Sequence, residues 1–264
     1  MQPEENLQID PTVPTVARVY DYYLGGTDNY EADRILAAQI DELLPGTRGL
    51  ALNNRRFLER ITQFLASDCG IRQFIDHGSG LPTQNNVHQI AQRVHPDARV
   101  IYNDNDSICA VHGQRLLADD DSTAFILADM RDTDIILNHP DTKRLIDFSE
   151  PVAVLFNSVL HCIPDRDDPI GLVHRVMDRV APGSYLALAH LVSDDPDMRR
   201  KLTDLMLGAT QGNWGRLRTV DEVRPCFDGL EVIEPGLVEL TTWRPDDRRQ
   251  EQTWDMIEFP GFRS

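Results

Sequence analysis

From residue 71 onward, short runs of β-forming residues alternate with stretches that carry apolar residues at helical spacing. The five clearest runs cover residues 71–76, 99–103, 124–128, 151–157 and 185–191. Strands that alternate with helices form βαβ crossovers, which make the sheet mostly parallel and cover both of its faces with helices. We therefore predict one Rossmann-like α/β domain over residues 71–264, with weaker edge strands at 230–233 and 253–259.

The first 70 residues are predicted to form a helical N-terminal cap of the same domain, after a flexible acidic leader at residues 1–13. Pro14 suits the first turn of one helix, and Gly25 suits its end. Asp28, with Glu31 three residues later, resembles a capping box that opens a second helix. The second helix carries Leu36, Ile40 and Leu43 at helical spacing. A third helix carries Leu58, Ile61 and Leu65 in the same pattern.

The chain is strongly acidic and has no long apolar stretch. Its 264 residues carry 26 Lys and Arg against 43 Asp and Glu, a formal net charge of −17. Such a field repels a polyanion, so we expect no nucleic-acid binding. The apolar run at residues 152–156 is far shorter than the roughly 20 residues of a membrane-spanning helix, and residues 1–14 lack a signal-peptide core. We expect no membrane segment.

The four cysteines lie far apart, and none belongs to a C-x-x-C pair (Cys69, Cys109, Cys162 and Cys226). This spacing supports neither a zinc site nor a disulfide framework, and unpaired thiols are typical of proteins in a reducing compartment. We therefore expect a cytoplasmic protein without a metal site.

The strongest local motif is the glycine-rich sequence FIDHGSGLPT, which joins the first strand to a helix predicted to begin near Thr83. Asp76 ends the strand, and Gly78, Ser79 and Gly80 form the turn. Glycines let the backbone approach a ligand closely, and a helix N-terminus offers unpaired N–H groups. Plain strand-to-helix turns also use glycine, and Asp76 also fits a helix cap, so the turn alone leaves both interpretations open.

Acidic residues stand at the ends of three consecutive predicted strands. Asp104, followed by Asn105, ends the second strand, and Asp129, followed by Met130, comes after the third. An acid at the second position can accept hydrogen bonds from both ribose hydroxyls of a nucleoside, and the third position falls beside the base. One such acid is commonly a solvated strand-end residue, but three of them, counting Asp76, favour a nucleoside site.

The type of nucleoside is indicated by a departure from the dinucleotide motif G-x-G-x-x-G. Thr83 stands at its third glycine, after Pro82, and this disfavours a nicotinamide cofactor. The order Asp76-x-Gly-x-Gly instead resembles the first motif of class I S-adenosylmethionine-dependent methyltransferases. The resemblance implies that Asp76 and the glycines face the amino-acid part and the ribose of that cofactor. It also places Asn157 at the fourth-strand motif of that class.

The resemblance narrows to one family. ARVYDYYLGGTDNYEADR at residues 17–34 is similar to the N-terminal signature of an S-adenosyl methyltransferase family once catalogued as a domain of unknown function. NRRFL at 54–58, YNDND at 102–106 and VLHCIPD at 159–165 fit the same family. Membership implies a class I methyltransferase fold with S-adenosylmethionine as cofactor, and leaves the acceptor unspecified. His77 and Asn103 are polar where such strands are usually apolar.

Four of the six tyrosines fall within residues 20–30, beside Gly25 and Gly26. In one interpretation they pack the cap helices onto the sheet. In the other, which we prefer for Tyr20, Tyr23 and Gly26, they form a lid over the cofactor. A sulfonium is a cation, and aromatic faces attract cations by about 0.5–2 kcal/mol.

Further candidates have two interpretations each. Arg18 or Arg56 can grip the cofactor carboxylate with a forked pair of hydrogen bonds, or can pair on a helix surface. His161 is a candidate general base at the mouth of the cleft, although we prefer a structural, hydrogen-bonded histidine. Three tryptophans fit either an acceptor pocket or the core (Trp214, Trp243 and Trp254).

These observations together predict methyl transfer from S-adenosylmethionine to a small-molecule acceptor. The protein would mainly align the reactants and exclude water, because the sulfonium carries its own leaving group. The alternative is a non-catalytic S-adenosylmethionine-binding protein that regulates or binds a partner. The sequence specifies neither the acceptor nor the oligomeric state.

Overall fold

A mixed sheet with a parallel half forms the centre of the protein. The structure, a computed structural model, describes residues 9–82, 85–117 and 120–246, and the backbone of 256–262. The strands are β1 Gln73–His77, β2 Arg99–Asp104, β3 Thr123–Leu127, β4 Ala153–Asn157, β5 Tyr185–Leu191, β6 Glu231–Val232, β7 Val238–Glu239 and β8 Met256–Phe262. Their order is β3-β2-β1-β4-β5-β8-β6, and β7 also pairs with β8. The strands β1 to β5 are parallel, whereas β8 runs antiparallel to β5.

Helices cover both faces of this sheet. They are α1 Val16–Leu24, α2 Glu31–Leu43, α3 Thr47–Ser67, α4 Val87–Val94, α5 Ser107–Leu116, α6 Thr133–Leu137, α7 Pro140–Leu145, α8 Pro169–Met177, α9 Pro196–Ala209 and α10 Val220–Val223. Every residue of β1 is buried, because a central parallel strand is covered on both sides. Phe74 packs into the cluster with Ile61 of α3, and Ile75 packs into the cluster with Val173 of α8 on the opposite face.

The cap helices begin and end at identifiable residues. Thr15 caps α1 through a hydrogen bond that its side chain accepts from the Arg18 N–H, and Gly25, with φ of 84°, ends the helix. The second helix begins at Glu31 rather than at Asp28, so the predicted Asp28–Glu31 capping box is wrong. The capping carboxylate is Asp33, which accepts a hydrogen bond from the Tyr30 N–H at 2.8 Å.

The predicted strands match the structure most closely in the parallel half of the sheet. β5 has the predicted bounds of residues 185–191, whereas β8 begins three residues later than the predicted run at 253–259. The helices α6, α7, α9 and α10 were not predicted. The α4 helix begins at Val87, and the predicted helix start at Thr83 lies outside the described residues. In the part of the chain that the structure describes, no helix has the length and apolar character needed to cross a bilayer.

Candidate functional site

A cavity of about 430 Å³ lies where the parallel strands end. Its walls are the C-terminal ends of β1, β2 and β4, the loop after β3, and α1 with the segment that precedes it. The carboxyl edge of a parallel sheet is the usual ligand-binding edge of this architecture, because the strand order reverses there. Ten of the predicted cofactor residues line the cavity: Tyr20, Asp76, Gly78, Ser79, Gly80, Asp104, Asn105, Asp129, Met130 and Asn157.

The glycine turn forms one wall. Gly78 has φ of +64°, and a Cβ there would lie 2.3 Å from Val159 Cγ2 and 2.9 Å from Met130 Cε, so a side chain does not fit. Gly80 has φ of +67° and faces open space. The Ser79 hydroxyl is buried without a hydrogen-bond partner among the described residues. The turn therefore presents bare backbone and one unsatisfied hydroxyl to a ligand.

Two buried carboxyl groups lie beside this turn. Asp104 accepts hydrogen bonds from the Gly80 N–H at 2.8 Å and from the Asp106 N–H at 2.9 Å. Burial raises the pKa of Asp104 to about 6. Burial also raises the pKa of Asp76, to about 7, because the charge of Asp104 adds to this effect while the charge of Arg55 opposes it. A cation or a hydroxyl donor in the cavity stabilises the ionised form of both groups.

The third predicted acid has a partner. Arg131 donates to both oxygens of Asp129, at 2.9 and 2.6 Å, and to Asp167 at 2.7 Å. Burial raises the pKa of Asp129, but the hydrogen bonds from Arg131 outweigh burial and hold that pKa below its ordinary value. The loop after β3 therefore offers a ligand the apolar side chain of Met130 and an Asp129 carboxylate that is already paired with Arg131.

A hydrogen-bonded network connects α1, α3 and β4 on the opposite side of the cavity. Asn54 and Asn157 exchange two amide hydrogen bonds at 3.0 and 3.1 Å. Asn54 also donates to the Ser158 hydroxyl at 2.7 Å and accepts from the Tyr20 hydroxyl at 2.8 Å. Ser158 has φ of +57°, a strained conformation for a residue with a side chain. This network fixes polar groups of three elements around one part of the cavity.

The structure does not bring three predicted cofactor residues to the cavity. The Tyr23 hydroxyl donates to the Ala37 carbonyl at 2.9 Å within the core of the cap. A Cβ at Gly26 would lie 1.9 Å from Asp21 Oδ1, so the tight packing of Asp21 explains the glycine. Arg56 follows Asn54 by two residues, which is about 200° around a helix, and the cavity is lined by Arg55 instead.

Arg18 does not act as a free cation for a carboxylate ligand. It is paired with Asp33 and is 1% exposed. Residues 9–13, predicted as part of a flexible leader, are held by this arginine, which donates to the Asp10 carbonyl at 3.2 Å and to the Val13 carbonyl.

His161 is buried and packs against other rings. Its ring packs against His190 and Trp214, with centroids 5.4 and 5.3 Å away, and its Nδ1 accepts from the Leu191 N–H at 3.5 Å. Burial lowers the pKa of His161 to about 3. The next residue, Cys162, lines the cavity instead. His161 is therefore a neutral residue outside the cavity wall.

Two of the three tryptophans are core residues. Trp214 and Trp243 are buried, and Trp243 packs edge-on against Phe57, while Trp254 lies outside the described residues. Within the described ranges, no three histidine, cysteine or acidic side chains are grouped to hold a metal ion.

Several cavity residues were not singled out as site residues from the sequence. They are Thr15, Asn54, Arg55, Arg131, Ser158, Thr210 and Asn213. Asn54 and Arg55 begin the NRRFL motif, which carried the family resemblance and in which only Arg56 had been assigned a role. Thr210 and Asn213 follow α9, for which no prediction was made.

The parallel order β3-β2-β1-β4-β5, the antiparallel strand beyond β5 and the cavity at the carboxyl edge define a Rossmann-like protein of the class I methyltransferase type. The sequence profile of the S-adenosyl methyltransferase family matches residues 2–263. The chain therefore belongs to the S-adenosyl methyltransferase family and is an S-adenosylmethionine-dependent methyltransferase.

Solved structures agree with this assignment. A protein from Thermobifida fusca YX, provisionally named a methyltransferase, is 41% identical with a TM-score of 0.88, and the match covers 100% of this chain and 99% of that one. A DUF574 family protein from Streptomyces avermitilis MA-4680 is 35% identical with a TM-score of 0.90, over 97% and 100% of the two chains.

A more distant structure shares the fold alone. An O-methyltransferase family protein from Burkholderia thailandensis is 17% identical with a TM-score of 0.52, over 86% of this chain and 63% of that one. No curated protein matches the sequence.

Proposed function

We propose that the cavity at the carboxyl edge binds S-adenosylmethionine and that the chain transfers its methyl group to a small-molecule acceptor. The observation that carries the proposal is the buried Asp104 carboxylate, which two backbone N–H groups hold at the end of β2 inside the cavity. A carboxylate at this position suits the two ribose hydroxyls of an adenosyl group, because each of its oxygens retains a lone pair for a further donor.

The residues present fit the cofactor in shape and charge. The open face of Gly80 and the unsatisfied Ser79 hydroxyl provide a polar cradle. The buried acids Asp76 and Asp104 suit a ligand with a sulfonium and an ammonium group. Arg55, whose charge acts on Asp76, is our candidate for the cofactor carboxylate in place of Arg56. Met130 supplies an apolar surface for the adenine ring.

The remaining wall is where we place the acceptor. It contains the Tyr20, Asn54, Asn157 and Ser158 network together with residues that follow α9. These groups can orient an acceptor by hydrogen bonds, and the surrounding elements exclude water. The bound cofactor supplies an electrophilic methyl group. Orientation alone can supply on the order of 7 kcal/mol. A dedicated base is needed only where the acceptor atom must lose its proton before it attacks the methyl group.

No histidine lines the cavity among the residues that the structure describes. The methyl-accepting atom would therefore reach the site as a nucleophile that needs no histidine base. A non-catalytic cofactor-binding protein would share the adenosyl site and would lack transfer to any acceptor.

Calorimetric titration of the wild type and the Asp104→Ala variant with S-adenosylmethionine, S-adenosylhomocysteine and NAD tests the cofactor site. We expect both adenosyl compounds to bind the wild type, and the variant to bind them at least tenfold more weakly, because a charge-assisted pair of hydrogen bonds is lost. Asp194→Ala, at an exposed aspartate, is the matched control and should bind normally. Saturable binding of NAD without binding of S-adenosylhomocysteine would contradict the proposal.

Transfer itself is tested by incubating the protein with methyl-tritiated S-adenosylmethionine and a pool of small molecules from a cell extract. We expect tritium to enter a compound of the pool and S-adenosylhomocysteine to accumulate above the level of an acceptor-free sample. Cofactor binding without any transfer from a range of such pools would favour the non-catalytic alternative.

A further inference from the structure

The part of the cavity where we place the acceptor is lined by uncharged side chains. We call it the acceptor wall, and its described residues are Tyr20, Asn54, Asn157, Ser158, Thr210 and Asn213. Cys162 and Ile163, which line the cavity between Ser158 and the end of α9 in the chain, are uncharged as well. Amides and hydroxyls recognise a molecule by hydrogen bonds rather than by charge.

The buried acids of the cavity lie beside the glycine turn instead. Asp76 and Asp104 stand at the ends of β1 and β2. Arg55 belongs to the same side, because its charge acts on Asp76 and its side chain donates to the Asn85 carbonyl at 2.9 Å. These groups match the sulfonium, ammonium and carboxylate of the proposed cofactor, so the charged side of the cavity is accounted for without the acceptor.

Two further arginines line the cavity, and each already has a carboxylate partner. Arg131 is paired with Asp129 at 2.6 Å. Arg18 is 1% exposed and is paired with Asp33 at 2.9 Å. An anionic acceptor would have to compete with a carboxylate for either arginine, and a cationic acceptor would meet no carboxylate among the described residues of the acceptor wall.

The hydrogen bonds within the acceptor wall leave donors for a ligand. The Asn54 amide donates to Asn157 at 3.1 Å and to Ser158 at 2.7 Å. It accepts from Tyr20 at 2.8 Å and from Asn157 at 3.0 Å, so its hydrogen-bonding groups are all used. The Ser158 O–H and the second Asn157 amide hydrogen have no acceptor among the described residues, and both side chains are half-buried at the cavity. Two neighbouring donors suit an oxygen that accepts hydrogen bonds.

We propose that the acceptor is a small uncharged molecule that presents a carbonyl, ether or hydroxyl oxygen to Asn157 and Ser158. The proposal rests on the proposed methyl transfer in this cavity. The acceptor is small because the cavity of about 430 Å³ also holds the cofactor. It is uncharged because an ion at this wall would lose its hydration without gaining a counter-ion, and hydrogen bonds to neutral groups do not compensate for that loss.

The transfer moves one methyl group and two electron pairs. A lone pair of the acceptor atom forms the new bond to the methyl carbon while the carbon–sulfur bond breaks, and the electron pair of that bond stays on sulfur. The acceptor atom then releases its proton to solvent, so that an uncharged acceptor gives an uncharged methylated product.

The first test separates possible acceptors by charge. A small-molecule cell extract is passed at neutral pH over an anion exchanger and a cation exchanger in series, so that uncharged compounds leave in the flow-through and ions are recovered in the two eluates. Each fraction is incubated with the wild type and methyl-tritiated S-adenosylmethionine. We expect more tritium to enter compounds of the flow-through than of either eluate. Greater transfer to compounds of an eluate overturns the proposal.

The second test changes the charge of the acceptor wall at one atom. Ser158 has φ of +57°, a conformation that aspartate and asparagine both tolerate. In Ser158→Asp and in Ser158→Asn an oxygen remains to accept from Asn54, but only the asparagine retains a donor, and only the aspartate adds a charge. With the flow-through as the pool, we expect transfer by Ser158→Asp to be at least about tenfold slower than by Ser158→Asn.

Ser149→Asp, at an exposed serine that does not line the cavity, is the matched control and should transfer like the wild type. Calorimetry with S-adenosylhomocysteine, which has no sulfonium charge, should give the same affinity for all four proteins. Equal transfer by the two Ser158 variants, or faster transfer by Ser158→Asp, overturns the proposal. The fractionation test uses the wild type alone and does not depend on the folding of a variant.

The outcomes distinguish this proposal from the proposed function. Transfer that is greater to compounds of an eluate overturns the uncharged acceptor and leaves methyl transfer standing. Absence of S-adenosylhomocysteine binding by the wild type, or binding without transfer to any fraction, overturns the proposed function and the acceptor class with it.

Discussion

Asp76 is the buried residue through which we expect cofactor binding to depend on pH. Burial and the neighbouring charge of Asp104 raise its pKa from 3.8 to about 7, against the opposing charge of Arg55. Between these two pH values the folded protein holds a proton that the unfolded chain has lost, so the free energy of unfolding decreases as the pH rises through this interval. A cationic ligand favours the ionised form and therefore has to displace this proton.

We predict that the affinity for S-adenosylmethionine falls as the pH is lowered through 7, where Asp76 gains its proton. Calorimetry at a series of pH values should show this decline in the wild type and a flatter profile near pH 7 in Asp76→Asn. Proton release on binding, measured in buffers of different ionisation enthalpy, should be smaller in the variant. A wild-type affinity that is constant across this range would contradict the prediction.

At the scale of elements, the connection between α1 and α2 is a compact turn built around Asp21. Its carboxylate accepts hydrogen bonds from the Asp28 N–H at 3.0 Å and from the Asn29 amide at 2.9 Å. Gly26 packs directly against this carboxylate. The glycines of the N-terminal signature, Gly25 and Gly26, thus shape the turn between α1 and α2 and do not line the cavity themselves.

Gly26→Ala should therefore lower the free energy of unfolding by about 1–3 kcal/mol, because the new methyl group overlaps the Asp21 carboxylate. Chemical denaturation measures this loss. Gly208→Ala is the matched control, since a Cβ in that part of α9 meets open space and alanine favours a helix. A weakened cofactor affinity in Gly26→Ala at unchanged stability would instead support the lid interpretation of this glycine.

The sequence predicted elements better than it predicted contacts between them. The buried parallel strands were found because they are continuous apolar runs, and β5 has its predicted bounds. The start of α2 was misplaced because Asp28 with Glu31 resembles the sequence pattern of a capping box. The residues that cap the helix, Tyr30 and Asp33, do not match that pattern.

The strand-end residues and glycines of the candidate site were predictable, because strand order alone brings the ends of parallel strands to one edge. The pairing of Arg18 with Asp33, of Arg131 with Asp129 and of Asn54 with Asn157 was not. These contacts depend on how helices and loops rotate against the sheet. The choice between Arg55 and Arg56 likewise depends on which face of α3 is turned towards the cavity, and the positions of the charged residues alone do not determine this.

Across the whole molecule, the dominant electrostatic property is the net charge of −17. S-Adenosylmethionine carries a sulfonium charge that S-adenosylhomocysteine lacks. An acidic protein attracts the cation from a distance, and salt weakens this attraction, since the Debye length falls from about 10 Å at 0.1 M to about 3 Å at 1 M ionic strength.

The association rate of S-adenosylmethionine should accordingly fall several-fold between these two salt concentrations, while that of S-adenosylhomocysteine should change little. Rapid-mixing measurements with both compounds on the same protein sample check this, and the neutral product serves as the internal control. Equal salt dependence for the two compounds would show that the overall charge does not steer the cofactor.

The position of Cys162 bears on whether a bound methyl donor can alkylate the protein itself. The thiol lines a cavity proposed to hold an alkylating agent, and burial, with a contribution from the charge of Asp104, raises its pKa far above the ordinary value for cysteine, against the opposing charge of Arg218. Only the thiolate is a strong nucleophile, so a protonated Cys162 competes poorly for the electrophilic carbon. Burial, with a smaller contribution from the charge of Asp104, should therefore protect the protein from alkylating itself.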